Sequence, residues 1–150
     1  MKQLFILAIA FLVFACAGSK KATDNSSQEM KPSAIDGDWT FAYYEEIKSG
    51  DKTEPGEGVE PVLHIETLED GTLRFAGQVF NNYMGVFTRE GKKGLSLNGA
   101  MAVTRKMPMN PGEEEKYIKF IEKVSSYRMT SDGMLELIHQ DGDHKMVFEK

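Results

Sequence analysis

The stretch His139-Gln140-Asp141-Gly142-Asp143-His144 sets two imidazoles astride an Asp-Gly turn, with two carboxylates between them. In a hairpin the histidines would approach one another, and His139, His144 and Asp141 could then share a zinc or copper ion, since imidazole suits both metals. Two nitrogens and mobile carboxylates fall short of the four ligands a structural zinc site takes, so a polar hairpin tip is the simpler expectation. A second group, Met101, Met107 and Met109, offers soft thioethers of the kind that hold Cu(I). Methionine is equally a filler of irregular cores. His64 lies within Val62-Leu63-His64-Ile65 and is expected to be a half-buried structural residue of a strand. Glu45-Glu46 and Glu113 to Glu115 are expected to be solvated charge. No Gly-x-Ser-x-Gly elbow, HExxH, phosphate-binding loop or dinucleotide fingerprint occurs, so no catalytic constellation is indicated.

Cys16 is the only cysteine of 150 residues, which rules out a disulfide within the chain. It follows a short positive start, Met1-Lys2-Gln3, and an unbroken apolar run from Leu4 to Phe14. A membrane span needs roughly 20 apolar residues, so this run has the length of a cleaved secretory leader. Val13-Phe14-Ala15-Cys16 resembles the bacterial lipobox, with Phe14 bulkier than usual at the middle position. The resemblance implies a leader at residues 1–15, diacylglycerol on the Cys16 thiol and a fatty acyl group on the new amine. Stable anchoring takes at least two acyl chains, which this processing supplies. No other cofactor is expected.

Residues 16–34 are small and polar after the cysteine and read as a tether. Residues 35–150 are then one small domain, large enough to fold alone. The net charge is −5, moving to −6 when Lys2 leaves with the leader. No basic stripe is available to neutralise phosphates, so nucleic acid is not an expected partner.

The elements that must position these groups are mostly strands. Trp39, Phe41 and Tyr43 alternate with Thr40, Ala42 and Tyr44, predicting a strand with Tyr43 on the apolar face. Residues 49–58 read as an exposed loop. Further strands are expected over 62–67, 72–78, 83–88, 95–103, 126–130, 134–140 and 145–149, with Asp70-Gly71, Asp132-Gly133 and Asp141-Gly142 as turns. One helix is marked by Asn110 as cap, Pro111 at its first position and Glu113 to Glu115 beside the positive end of its dipole. Its buried stripe is Tyr117, Phe120, Ile121 and Val124. The expected fold is α+β: a curved antiparallel sheet or partial barrel of about eight strands, with the helix over an open end or face.

Gly77-Gln78-Val79-Phe80-Asn81-Asn82-Tyr83-Met84-Gly85-Val86-Phe87 resembles the signature of the META-domain family of small, often heat-inducible envelope proteins: glycine, then a Cys-Asn pair, an aromatic, a glycine and another aromatic. Thr104-Arg105-Lys106-Met107 is similar to the family's Thr-x-x-Met segment, and Glu114 with Tyr117 to its Glu-x-x-aromatic helix start. Trp39 matches the opening tryptophan, and Tyr127, Leu135, Leu137 and Phe148 fall where the last strands lie. Phe80 and Pro108 stand where the family has cysteines, so any redox role of that pair is absent here. Family members are tied to stress tolerance, drug resistance and motility, without an agreed catalytic activity.

The resemblance implies a non-enzymatic, lipid-anchored envelope protein that binds a partner in stress or maintenance. Its candidate binding residues are Asn81, Tyr83, Gly85, Met107 and Met109. Without the family, Asn81 and Gly85 already read as a structural corner between two strands, because asparagine bonds its own turn and glycine permits close approach. An alternative is a carrier of a small apolar ligand lined by Trp39, Phe41 and Phe75, since Gly37-Asp38-Trp39 also resembles the start of a lipocalin. Ala17 after the anchor, in place of aspartate, points to the outer membrane, and the lack of an acidic cluster there to its periplasmic face.

Overall fold

The computed structural model describes residues 33–106 and 111–150. Ten strands and one helix follow in chain order: β1 (Gly37–Glu46), β2 (Lys52–Thr53), β3 (Val62–Thr67), β4 (Leu73–Gln78), β5 (Asn82–Glu90), β6 (Gly94–Leu97), β7 (Ala102–Val103), α1 (Pro111–Glu122), β8 (Val124–Met129), β9 (Leu135–His139) and β10 (His144–Glu149). Eight of them close into an antiparallel barrel, β1-β3-β4-β5-β6-β8-β9-β10, with β10 pairing back onto β1. The expected sheet is thus a full ring with its helix, and β2 and β7 are short ribs on β1 and β5. The joint between β6 and β8 is thin: Gly94 opposite Ser126, and one bond from Tyr127 N to Lys93 O.

Register gives the barrel two distinct ends. Glu46 pairs with His144 and Gln78 with Asn82 at one end, which also carries β7 and α1. Gly37 pairs with Ile65, Leu73 with Phe87 and Met129 with Leu135 toward the other, where the chain enters at Ser33 to Asp36. We call these the helix end and the entry end.

The interior is filled with large side chains. Trp39, Phe75, Tyr83, Phe87, Tyr117, Ile121 and Phe148 are all essentially inaccessible. Each such side chain contributes about 1.5–3 kcal/mol through burial. Tyr117 seals the helix end, its ring 5.6 Å from Phe41, 5.5 Å from Tyr83 and 6.4 Å from Phe148. Two glycines make room for aromatic rings across β4 and β5. Gly77 sits opposite Tyr83, and a Cβ there would penetrate the Val62 carbonyl oxygen and the Tyr83 hydroxyl. Gly85 sits opposite Phe75, whose Cζ would be 2.5 Å from a Cβ. Gly85 therefore admits a ring in place of backbone or a bulge.

Several expectations change. A register shift between Phe41 and Tyr43 places Tyr44 inward with Phe41 and turns Tyr43 out. The predicted strand over 95–103 is two, β6 and β7, broken at Asn98-Gly99, where Gly99 has φ +81°. Residues 49–58 include β2, paired through Tyr44↔Thr53. The helix ends at Glu122, so Val124 is buried as the first residue of β8. His64 is exposed, with its Nδ1 2.7 Å from Asp38 Oδ1. Among the described residues, no helix is long and apolar enough to cross a membrane.

Candidate functional site

At the helix end the corner between β4 and β5 is tied by Asn81, which is only 3% exposed. Its carboxamide oxygen accepts bonds from Lys106 N (2.5 Å) and Thr104 Oγ1 (3.1 Å). Its Nδ2 donates to Lys106 O (3.0 Å) and Glu114 Oε2 (2.9 Å), and its backbone N to Glu114 Oε1 (2.6 Å). Every hydrogen-bonding position of this side chain is used. Glu114 is buried, a correction to the expectation of solvated charge over 113–115. It lies in the first turn of α1, where the helix dipole favours negative charge.

One turn on, Tyr117 Oη meets Tyr83 Oη at 2.7 Å, and Tyr83 donates to Val62 O at 2.8 Å. Burial drives both phenols to higher pKa, Tyr117 furthest, so both stay protonated. Asn81, Thr104, Lys106 and Glu114 thus form a polar knot linking the barrel, the β7 segment and the helix, and the Tyr83–Tyr117 pair forms a second hydrogen-bonded link between barrel and helix beside it. Asn82, between Asn81 and Tyr83, and Met84, just after Tyr83, face solvent. Of the candidate binding residues, Asn81 and Tyr83 are therefore buried and Gly85 is half-buried. Met107, Met109 and the cap Asn110 lie outside the described residues, as do Cys16, the leader and most of the tether. Met101 packs partly against the core.

A second constellation occupies a cleft of about 400 Å³ between α1, β1, β2 and the β9–β10 hairpin. Tyr44, Phe120 and His139 form its aromatic lining, with ring centres 5.9 Å and 5.0 Å apart. Glu45, Glu46, Asp51 and Asp141 surround it, and Lys116 Nζ stands 4.0 Å from the Tyr44 ring centre. Burial, then the charge of Glu113, push the Tyr44 hydroxyl up, so it too stays protonated.

The hairpin does bring the predicted histidines together. His139 Nδ1 and His144 Nδ1 lie 2.9 Å and 2.8 Å from the same oxygen, Asp141 Oδ2. Desolvation would raise the Asp141 carboxyl, but the Asp143 N–H, the His144 ring, the His139 charge and the His144 N–H hold it well below the usual range. Among the described residues no group of three His, Cys, Asp or Glu side chains has the geometry to hold a metal. Trp39, Phe41 and Phe75, the carrier's expected lining, are packed core residues. A depression of about 490 Å³ includes Trp39 but is otherwise bounded by Asp38, Thr40, Val62 to His64, Ala76, Gly77 and Lys150.

The sequence reading missed a charge ladder on the outer wall. Lys145 Nζ lies 2.9 Å from both Glu45 Oε1 and Glu136 Oε1, and Glu136 also holds Arg128 Nε at 2.5 Å. Glu136 and Lys145 are buried there. Alternation of charge at outward positions of the last three strands was the available signal.

The META domain model matches residues 34–150, and the chain belongs to that family. Two solved structures share its fold. A protein from Burkholderia xenovorans, determined by NMR, is 22% identical over 76% of this chain and 81% of its own, with a TM-score of 0.57. A DUF4847-family protein from Bacteroides vulgatus, determined by crystallography, is 17% identical over 75% of this chain and 90% of its own, with a TM-score of 0.50. No curated protein matches.

Proposed function

We propose that this META-domain chain is a lipid-anchored binding module of the bacterial envelope, held at the periplasmic face of the outer membrane through acylated Cys16. It acts in envelope stress or maintenance through contacts, without catalysis. The observation that carries the binding reading is the fate of the motif residues: Asn81, Thr104 and Glu114 are spent on one another, and Tyr83 and Tyr117 on each other. A catalytic group must instead present itself to a substrate. The filled interior favours contacts made on the outside of the barrel.

The chain enters at the end opposite α1, the 79–81 corner and the β9–β10 hairpin. A tether arriving at Ser33 would therefore leave the helix end facing away from the membrane, where a partner can reach it. The test is fractionation of cells expressing the chain and its Cys16→Ser variant, with intact mass of the product. We expect the parent in the membrane fraction, heavier than its cut polypeptide by a diacylglycerol and a fatty acyl group, and the variant released. A variant that still sediments with membranes overturns the anchor. A photo-crosslinker at exposed Ile47 or Glu115 should capture an envelope protein at the helix end; capture only from entry-end positions reverses the proposed orientation.

A further inference from the structure

We infer that the cleft between α1, β1 and the β9–β10 hairpin binds an alkylammonium group, seated on the Tyr44 ring where Lys116 now stands. This deepens the binding-module reading and rests on it. Three features converge. The first is the cleft itself, about 400 Å³, within the range of small-ligand sites. Its aromatic faces lie beside carboxylates, the combination that recognises organic cations.

The second is Tyr44. It is nine-tenths buried, lines the cleft, and its hydroxyl has no hydrogen-bond partner among the described residues. The hydroxyl oxygen is not sealed from solvent, so it can accept a hydrogen bond from water or from a ligand in the cleft. The third is Lys116, whose ammonium lies 4.0 Å from the Tyr44 ring centre. It is an internal occupant of the same chemistry, exposed and on a flexible stem, and it can swing out at little cost.

Charge completes the selection. Glu45 is committed to Lys145, whereas Glu46 carries only a Ser49 hydroxyl bond and Asp51 no ion pair among the described residues. Asp141 is held ionised between two imidazoles. Among the described residues no group of three His, Cys, Asp or Glu side chains is arranged for a metal ion, while an ammonium needs only π faces and unspent carboxylate oxygens.

The full chain in non-ionic detergent would be titrated with 1,5-diaminopentane and, separately, with Nα-acetyl-lysine amide, followed by NMR of the Tyr44, Phe120 and His139 amides. Saturable shifts with a dissociation constant of about 0.1–1 mM are expected, the scale of a few weak contacts. Lys116→Met should tighten binding about fivefold by removing the internal competitor, and Glu46→Gln or Asp51→Asn should weaken it about threefold. All three substitutions lie on exposed side chains, so folding is retained. Preference for the lysine derivative would identify a protein side chain as the source, and equal binding a free amine as well. Equal shifts with 1,5-pentanediol, no saturation below about 20 mM, or unchanged affinity in Lys116→Met would overturn the inference. Those outcomes leave the fractionation and crosslinking results standing, so the two readings fail separately.

Discussion

Replacing Asn81 by alanine tests the reading of the corner as a structural knot. The carboxamide makes four hydrogen bonds: to Lys106 N, Lys106 O, Thr104 Oγ1 and the Glu114 carboxylate. At about 1 kcal/mol for each neutral bond and about 2 kcal/mol for the charge-assisted one, their loss amounts to about 3–5 kcal/mol, the lower figure allowing for water entering the space. For a domain of this size, at about 4 °C per kcal/mol, the melting temperature should fall by about 12–20 °C. Circular dichroism on heating and urea unfolding at pH 7 would measure it, with the urea m-value unchanged. Asn81→Asp supplies the sign control. It places a carboxylate within hydrogen-bond distance of Glu114, so one of the two must hold a proton for the knot to close. That variant should gain stability relative to the parent as pH falls toward 5. A fall of less than about 4 °C in Asn81→Ala would refute the structural assignment, most directly if partner capture were lost at the same time.

Further outcomes follow from the same geometry. Gly77→Ala and Gly85→Ala should each cost about 2–4 kcal/mol in urea unfolding, since the new methyl meets the Tyr83 hydroxyl or the Phe75 ring. Tyr83→Phe should destabilise by about 2–3 kcal/mol, stranding both the Val62 carbonyl and the Tyr117 hydroxyl, whereas Tyr117→Phe leaves the Tyr83–Val62 bond in place and should cost about 1 kcal/mol. Reversal of that order in thermal melts would count against the donor sequence. The charge ladder sets a pH window. Burial pushes the Glu136 carboxyl up, but bonds from Arg128 and Lys145 bring it below its ordinary value; its stabilisation is therefore full above the usual carboxylate range and lost as pH falls through and below that range. Burial lowers the Lys145 ammonium, but Glu136 and Glu45 raise it on balance, so its contribution is full below about 10.5 and lost as pH rises beyond. Lys145→Met should cost about 3 kcal/mol at pH 7 and less at pH 4, read by urea midpoints.

Much of this architecture was legible in the chain. Period-two patterning marked the eight principal strands, and Asp-Gly pairs marked three of their turns. The helix start at Pro111 and the stripe through Tyr117 and Ile121 were equally plain. Ring closure was not legible, because an open sheet and a closed barrel bear the same alternation of apolar and polar residues. The shift at Phe41/Tyr43 escaped for a related reason: one extra residue inverts every later side chain, and nothing local announces it. Glu114 was misread as solvated because its environment is set by Asn81, 33 positions away. The family motif did carry that information, as the resemblance of Asn81 and Glu-x-x-Tyr segments, though not that they bond to one another. The aromatic cleft was invisible for the same reason, since Tyr44, Phe120 and His139 come from three separate elements.

The pairing of β1 with β10 has a consequence for the order of events in synthesis. Phe41 faces Phe148, so roughly 100 residues must be made between the two partners. At the usual pace of about 5–20 residues per second, the early strand waits about 5–20 s for the late one. During that interval β3 can zip to β1, β4 to β3 and β5 to β4, but the other margin of β1 stays open, a template on which a second nascent chain can form the wrong sheet. Among the described residues the finished barrel offers only the two-residue ribs β2 and β7 as spare edges. Its hazard of misassembly is therefore concentrated in the seconds before the last strand arrives, and a chaperone that shields β1 would serve it far better than one that recognises the completed fold.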